Sequence, residues 1–247
     1  MQIPLPRWFA HRGGGSLAPE NTLAGICLAA RLGYRAVEFD VMLSGDGTPV
    51  LIHDETLERT TNGVGRVCET PDASLFALDA GQGERIPRFA EAAALCRELG
   101  LLANVEIKPS AGQEVETAER VAKLTVELWR GAAVPPLISS FSWAALEVAR
   151  DLAPDIVRGV LFEAVPADWL AEIRRLQAFS LHCDADLLPD DVLAEARAQG
   201  IPVLCYTVNS ENRAKTLFAR GVSALFTDRL DLFAPETTPD KPLHLGD

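Results

Sequence analysis

The feature that most constrains the fold is a regular alternation of short apolar runs with longer segments of helical periodicity. Nine runs have the length and composition of β-strands, and a helical segment lies between successive runs at every link but one. The exception is the link between the second and third runs, because the segment from Asp40 to Val50 is too short for a crossover helix. That link predicts a hairpin, and the remaining pattern predicts eight parallel strands.

Eight parallel strands alternating with helices is the count that closes a (β/α)8 barrel. The competing fold is a doubly wound open sheet, but no G-x-G-x-x-G stands at a strand-to-helix turn to favour it. We therefore predict an α/β barrel of the TIM type, formed by residues 1–234 as one domain. Residues 55–88 have weak periodicity and predict a short insertion, and residues 235–247 predict a loose tail.

Composition narrows the range of partners. The chain has 23 Lys and Arg against 35 Asp and Glu, a net charge of −12. Nucleic acids and anionic membrane surfaces require a basic face, so neither is an expected partner. No apolar run approaches the ~20 residues of a membrane helix, and the start of the chain lacks a secretory signal. Five scattered cysteines predict reduced thiols in a cytoplasmic protein. Monomer and homodimer both stay open.

The second and third strands carry two acidic residues and a histidine. Glu38 and Asp40 are two apart in an apolar run, so both carboxylates point to one face of the strand. Buried carboxylates are costly unless a cation neutralises them. The return strand of the hairpin ends in His53, and a turn at residues 44–47 would bring it to about the level of Glu38.

In a barrel, catalytic groups collect at the carboxyl ends of the strands. The other predicted strand ends place these candidates there: His11, Arg12, Glu106, Lys108, Ser140, His182, Tyr206 and Asn209. Three carboxylates in one pocket would repel each other, and a hard divalent cation with oxygen ligands removes that repulsion. Mg²⁺ or Ca²⁺ suits the set best, with Mn²⁺ or Zn²⁺ less suited. The structural alternative is that Glu38 and Asp40 form ion pairs with Arg35 or with a barrel lysine.

The charged groups around such a cation have complementary uses. Arg12 and Lys108 would bind a phosphate, one as a planar fork and the other as a point charge. His11 and His53 would transfer protons, because imidazole titrates near pH ~6.5. Two further histidines are predicted to have other roles, His182 in packing and His244 in the inert tail. Asn21 is the predicted N-cap of the first helix.

Six motifs in order along the chain carry a resemblance to a known family. They are His11-Arg12-Gly13, Pro19-Glu20-Asn21-Thr22, Glu38-Phe39-Asp40, His53-Asp54 with Leu57-Glu58-Arg59-Thr60-Thr61, Glu106-Ile107-Lys108, and Tyr206-Thr207-Val208-Asn209. From about Phe9 to Asp228 the chain resembles the glycerophosphodiester phosphodiesterase family. It looks closest to the short cytosolic bacterial form associated with glycerol-3-phosphate uptake.

The resemblance implies a metal-dependent hydrolase of deacylated phospholipids, such as glycerophosphocholine and glycerophosphoethanolamine, that releases sn-glycerol 3-phosphate and an alcohol. It implies these roles: general acid and base for His11 and His53, metal ligands for Glu38, Asp40 and Glu106, and phosphate contacts for Arg12 and Lys108. Tyr206 stands where the family commonly has tryptophan, and this difference affects only the expected shape of the glycerol or alcohol pocket. The short insertion suggests an open site that tolerates different alcohols.

Two other functions fit the same residues. One is a barrel isomerase or aldolase that uses the cation to stabilise an enolate, although that chemistry gives Arg12 and Lys108 no role beside two histidines. The other is a phosphate-binding barrel without catalysis, in which the histidine pair would be dispensable.

Overall fold

The computed structural model of the chain describes residues 5–233, which form a closed barrel of eight parallel strands with helices between them. The predicted TIM-type barrel is confirmed. Residues 235–247, predicted as a tail and including His244, lie outside the described part of the chain. Within residues 5–233, no helix is both long enough and apolar enough to cross a membrane.

The elements alternate along the chain as their periodicity predicts. The strands are β1 (Trp8–Ala10), β2 (Ala36–Leu43), β3 (Pro49–Leu51), β4 (Leu102–Ile107), β5 (Leu137–Ser140), β6 (Val157–Phe162), β7 (Ser180–Asp184), β8 (Val203–Tyr206) and β9 (Ala224–Thr227). The α-helices are α1 (Leu23–Arg31), α2 (Asp72–Leu75), α3 (Phe89–Leu99), α4 (Glu114–Leu128), α5 (Trp143–Leu152), α6 (Trp169–Arg175), α7 (Asp190–Ala198) and α8 (Glu211–Arg220). Short 3-10 helices cover Gly15–Leu17 and Val67–Glu69.

The barrel closes through β1, which pairs in parallel with both β2 and β9. The third strand stands outside this ring, because β3 pairs antiparallel with the far end of β2, where Val41 lies opposite Leu51. The predicted hairpin after the second strand is therefore confirmed. Its register places His53 just beyond the pairing of Ile52, whose amide donates to the carbonyl of Asp40 at 3.2 Å.

The two faces of β2 differ in chemistry as the alternation predicts. Phe39 faces the helices and its ring lies 6.2 Å from that of Phe89 on α3. Phe39 is fully buried, and burial of a side chain of this size stabilises the fold by roughly 1.5–3 kcal/mol. The opposite face of β2 looks into the barrel, where Phe9 and Phe226 pack at a centroid distance of 5.0 Å. Glu38 and Asp40 therefore stand above an apolar floor.

The first helix begins one residue later than predicted. Thr22 is its N-cap, with extended backbone and a side-chain oxygen that accepts from the amide of Gly25 at 3.2 Å. Asn21, the predicted cap, has a φ of 56° and directs its amide side chain to Asp40 instead. The prediction was wrong because Asn and Thr are both good caps, and only the contact with Asp40 decides between them.

The insertion of residues 55–88 has more order than its weak periodicity suggested. It contains one 3-10 helix and α2, and it packs on the hairpin. The shared apolar cluster consists of Met42, Val50, Ile52, Leu57, Val67, Leu75, Ala80 and Ile86. Because these residues are all buried, the insertion is anchored to the strands that carry Asp40 and His53.

Candidate active site

The carboxyl ends of β1, β2, β3, β4 and β8 meet at one pocket. All eight predicted site residues line it: His11, Arg12, Glu38, Asp40, His53, Glu106, Lys108 and Tyr206. Other side chains that line the pocket are Asn104, Phe141, Leu161, Thr207 and Phe226. The architecture therefore brings together the residues that the strand-end rule had selected from distant parts of the sequence.

Three carboxylates form the floor of the polar side of this pocket. Glu38, Asp40 and Glu106 each offer an oxygen, and these oxygens lie within 4.8 Å of one another. The register explains their closeness, since Asp40 on β2 is the direct partner of Glu106 on β4. All three are almost completely buried, and within residues 5–233 one oxygen each of Glu38 and Glu106 has no hydrogen-bond partner.

Burial and mutual repulsion shape the ionisation of this cluster. Burial, reinforced by Asp40 and Glu106, raises the pKa of Glu38 well above its usual value. Burial, reinforced by Asp40, likewise raises the pKa of Glu106 to about 8. Burial would also raise the pKa of Asp40, but Lys108, His53 and Arg12 together hold it below its ordinary value. Unsatisfied buried oxygens of this kind fit a hard divalent cation, because it supplies the missing positive charge.

The structural alternative for these carboxylates is seen only in part. Lys108 lies 3.4 Å from an oxygen of Asp40 and 3.9 Å from one of Glu106. Arg35 forms no ion pair with Glu38 or Asp40 within the described residues. Lys108 and Arg12 both lie beside Asp40, whereas one oxygen each of Glu38 and Glu106 lacks a hydrogen-bond partner among residues 5–233, so ion pairing accounts for Asp40 but not for the whole cluster.

The loop after β1 is held against β2 in an unusual backbone conformation. Arg12 has a φ of 50°, in the left-handed region, which costs about 1–3 kcal/mol for a residue with a side chain. Its amide donates to a carboxylate oxygen of Glu38 at 2.9 Å, and the amide of Gly13 donates to the Glu38 carbonyl at 2.9 Å. These bonds offset the strain, and they place the guanidinium of Arg12 within 3.9 Å of Asp40.

Each active-site histidine has one ring nitrogen fixed by an aspartate. The Nδ1 atom of His11 lies 2.7 Å from Asp228, and the Nδ1 atom of His53 lies 2.6 Å from Asp54. A carboxylate accepts the Nδ1 proton, which leaves Nε2 of each ring for proton exchange. The Nε2 atom of His11 lies 3.9 Å from Glu38. Burial is the main cause that lowers the pKa of His53.

Three residues of the site were missed as functional candidates. Asn21 donates to Asp40 at 2.9 Å and accepts from the Asp40 amide at 3.1 Å, so it orients a carboxylate. Asp228 follows β9, and the strand-end rule applied to the last strand would have found it. Asn104 precedes Glu106 by two positions and shares its strand face. Its buried amide atoms have no partner among residues 5–233.

Three other strand-end candidates lie outside the reacting groups. The hydroxyl of Ser140 donates to the carbonyl of Ile107 at 2.6 Å. His182 is fully buried against Ser180, and burial lowers its pKa to about 3, so it is a neutral packing residue. Asn209 donates to Asp228 at 2.9 Å and therefore supports His11 only indirectly.

A pocket at the carboxyl ends of the strands that combines clustered carboxylates, cationic side chains and two histidines is typical of (β/α)8-barrel enzymes that act on phosphate esters. Residues 11–232 match the sequence model of the Glycerophosphoryl diester phosphodiesterase family, and the chain belongs to that family. It is accordingly an enzyme, a hydrolase of phosphoric diesters. The predicted family is confirmed, and the isomerase, aldolase and non-catalytic alternatives are set aside.

Individual relatives agree in length as well as in sequence. A glycerophosphodiester phosphodiesterase of Caldanaerobacter subterraneus subsp. tengcongensis is 32% identical over 227 residues, covering 89% of this chain and 93% of its own. A phosphodiesterase of Oleispira antarctica, solved with the product sn-glycerol-3-phosphate, is 40% identical with a TM-score of 0.86, covering 91% and 93% of the two chains. A glycerophosphodiester phosphodiesterase of Agrobacterium tumefaciens is 26% identical with a TM-score of 0.75, covering 93% and 99%.

Proposed function

We propose that the chain hydrolyses deacylated phospholipids, glycerophosphocholine and glycerophosphoethanolamine among them, to sn-glycerol 3-phosphate and a free alcohol. The observation that carries this proposal is the pairing of two anchored imidazoles with three buried carboxylates in one pocket. The Oleispira antarctica relative was solved with sn-glycerol-3-phosphate, which supports the same product here.

Glu38, Asp40 and Glu106 would hold one divalent cation. Within residues 5–233 the side chains close enough to share an ion are three carboxylates and no histidine, which favours Mg²⁺ or Ca²⁺ over Zn²⁺. When bound, the cation offsets the charge that develops on the phosphate oxygens. Arg12 and Lys108, both beside Asp40, would bind the remaining phosphate oxygens as a fork and as a point charge.

The two histidines would exchange protons through Nε2. One imidazole takes the proton of the substrate hydroxyl next to the phosphorylated carbon, and that oxygen attacks phosphorus. The other imidazole donates a proton to the leaving alcohol. The product of this step is a cyclic glycerol phosphate. Water then opens the ring while the two imidazoles reverse their roles. Direct attack by water is the alternative, and trapping of a cyclic phosphate during single turnover separates the two routes.

Tyr206 would contact the glycerol or alcohol group. It lines the pocket, its hydroxyl donates to the carbonyl of Phe162 at 2.8 Å, and its ring lies edge-on to Phe141 at 5.9 Å. The position of the tyrosine is therefore fixed by contacts on both its polar and its apolar side.

The first experiment is an assay of metal-stripped protein on several glycerophosphodiesters, with Mg²⁺, Ca²⁺, Mn²⁺ and Zn²⁺ each added back. We expect activity with Mg²⁺ or Ca²⁺ and none without metal. The variants His11→Ala and His53→Ala should each lose at least about 100-fold in kcat while folding and metal binding persist. Wild-type-like rates in either variant would refute the assignment of the acid and base.

We also infer a cytoplasmic location. All five cysteines lie among the described residues and none is in a disulfide, which suits a reducing compartment. Localisation of a tagged full-length chain tests this inference.

A further inference from the structure

A chain of side-chain hydrogen bonds links the phosphate side of the pocket to His53. Arg12 donates from Nη1 to Glu20 at 3.0 Å. Arg59 donates to both oxygens of Glu20, at 2.7 and 2.8 Å. The same guanidinium donates to both oxygens of Asp54, at 2.5 and 3.0 Å, and Asp54 in turn accepts from Nδ1 of His53. Arg59 thus binds two carboxylates in fork geometry at once.

The guanidinium of Arg59 joins two segments that are distant in sequence. Glu20 lies in the loop between β1 and α1, Asp54 follows β3, and Arg59 lies in the insertion of residues 55–88. The loop that carries Arg12 and the segment that carries His53 thus meet through one side chain. The apolar cluster under the insertion fixes its backbone, so Arg59 is presented from a packed support.

The two histidines differ in how their aspartates are held. Asp228, the partner of His11, accepts from the neutral amide of Asn209 and donates its own amide to it at 2.8 Å. Asp54, the partner of His53, is held by the charged guanidinium of Arg59. The hydrogen bonds of Arg59 are the main cause that keeps the pKa of Asp54 well below its usual range.

We propose that Arg59 is a positioning residue of the reaction, which fixes His53 relative to the phosphate-binding Arg12 by pairing with Asp54 and Glu20. This inference rests on the proposed function. Arg59 is 46% exposed, and exposed ion pairs contribute little to stability. The value of the network therefore lies in orientation, since misplacement of a reacting group by about 1 Å can cost ~100-fold in rate.

The test compares Arg59→Ala with a matched control in the same insertion. Arg66 is 43% exposed and pairs with Glu55 at 2.8 Å, and neither residue lines the pocket, so Arg66→Ala should keep wild-type kinetics. Arg59→Ala should lower kcat about 10- to 100-fold with KM changed less than about threefold. Arg59→Lys should recover part of kcat, because a lysine keeps the charge without the fork.

A second readout is independent of turnover. The chain has four histidines, so ¹⁵N spectra can resolve the tautomer of His53. The wild type and Arg66→Ala should show the Nδ1-protonated form, and Arg59→Ala should show a mixture. If Arg59→Ala matches Arg66→Ala in kcat, the positioning role is overturned. If the wild type cleaves no glycerophosphodiester, the proposed function fails, and the tautomer comparison alone decides the role of Arg59.

Discussion

The two halves of the barrel mouth have opposite chemistry. The half formed by β1 to β4 carries every predicted charged group of the pocket, whereas the half formed by β5 to β9 presents Phe141, Leu161, Tyr206 and Phe226. The hairpin pairs with β2 and the insertion packs on that hairpin, so both are attached to the charged half. The hairpin and the insertion thus support the strands that carry Asp40 and His53, the side of the pocket to which we assign the phosphate chemistry. Under the proposed function, the apolar side chains of β5 to β9 would contact the remainder of the substrate.

The largest effect is expected from removal of a carboxylate in the charged half. Glu106→Gln keeps the shape but loses a charge of the cation site, so kcat/KM should fall at least about 1,000-fold, the equivalent of several kcal/mol. Isothermal titration should show weaker Mg²⁺ or Ca²⁺ binding. Leu161→Met is the matched change in the apolar half and should alter kcat/KM less than about threefold. Equal losses in the two variants would contradict the division.

The second prediction concerns the pH dependence of stability in metal-free protein. Burial raises the pKa of Glu106 from 4.5 to about 8, so the folded protein holds a proton that the unfolded chain releases. The unfolding free energy of metal-free protein should therefore fall by a few kcal/mol as pH rises from about 4.5 to 8. Urea titrations in EDTA at several pH values measure this slope.

The control for the pH slope is again Glu106→Gln, which removes the titrating group. Its unfolding free energy should depend less on pH than that of the wild type over the same range. An identical slope in the two proteins would show that Glu106 does not contribute to the pH dependence.

The third prediction concerns the guanidinium of Arg12 in the charged half. Loss of a charge-assisted hydrogen bond costs about 1.5–3 kcal/mol, so Arg12→Ala should lower kcat/KM about 10- to 150-fold. The loss should be similar for all alcohol groups, because the phosphate is common to them. Steady-state kinetics on glycerophosphocholine and glycerophosphoethanolamine would measure it, and a loss confined to one substrate would assign Arg12 to the alcohol instead.

The smallest effect is expected in the apolar half. Tyr206→Phe removes the hydrogen bond to the carbonyl of Phe162, worth about 1 kcal/mol, and keeps the ring against Phe141. Its kcat/KM should change by less than about fivefold, and the size of the change should differ between alcohols. Competition between two glycerophosphodiesters in one reaction measures the preference directly. A uniform loss for every substrate would place Tyr206 with the phosphate-binding groups.

Local patterns predicted most of the barrel and most of its site. Strand and helix periodicity depends on residues close in sequence, which is why helices alternate with the strands as the pattern predicts. The two-residue spacing of Glu38 and Asp40 depends only on strand alternation. The N-cap of α1 was mispredicted because the deciding contact, from Asn21 to Asp40, joins residues of different elements.

Three features were predictable from the sequence alone, because each follows from local geometry: the eight-strand count, the hairpin, and the face on which the carboxylates lie. Tertiary packing, by contrast, set the partner of His11 and the link between Arg59 and Glu20. Asp228 reaches His11 across 217 positions through closure of the barrel, and Arg59 reaches Glu20 across 39 through packing of the insertion. Such contacts depend on how the chain closes on itself, and periodicity along the chain does not encode that closure.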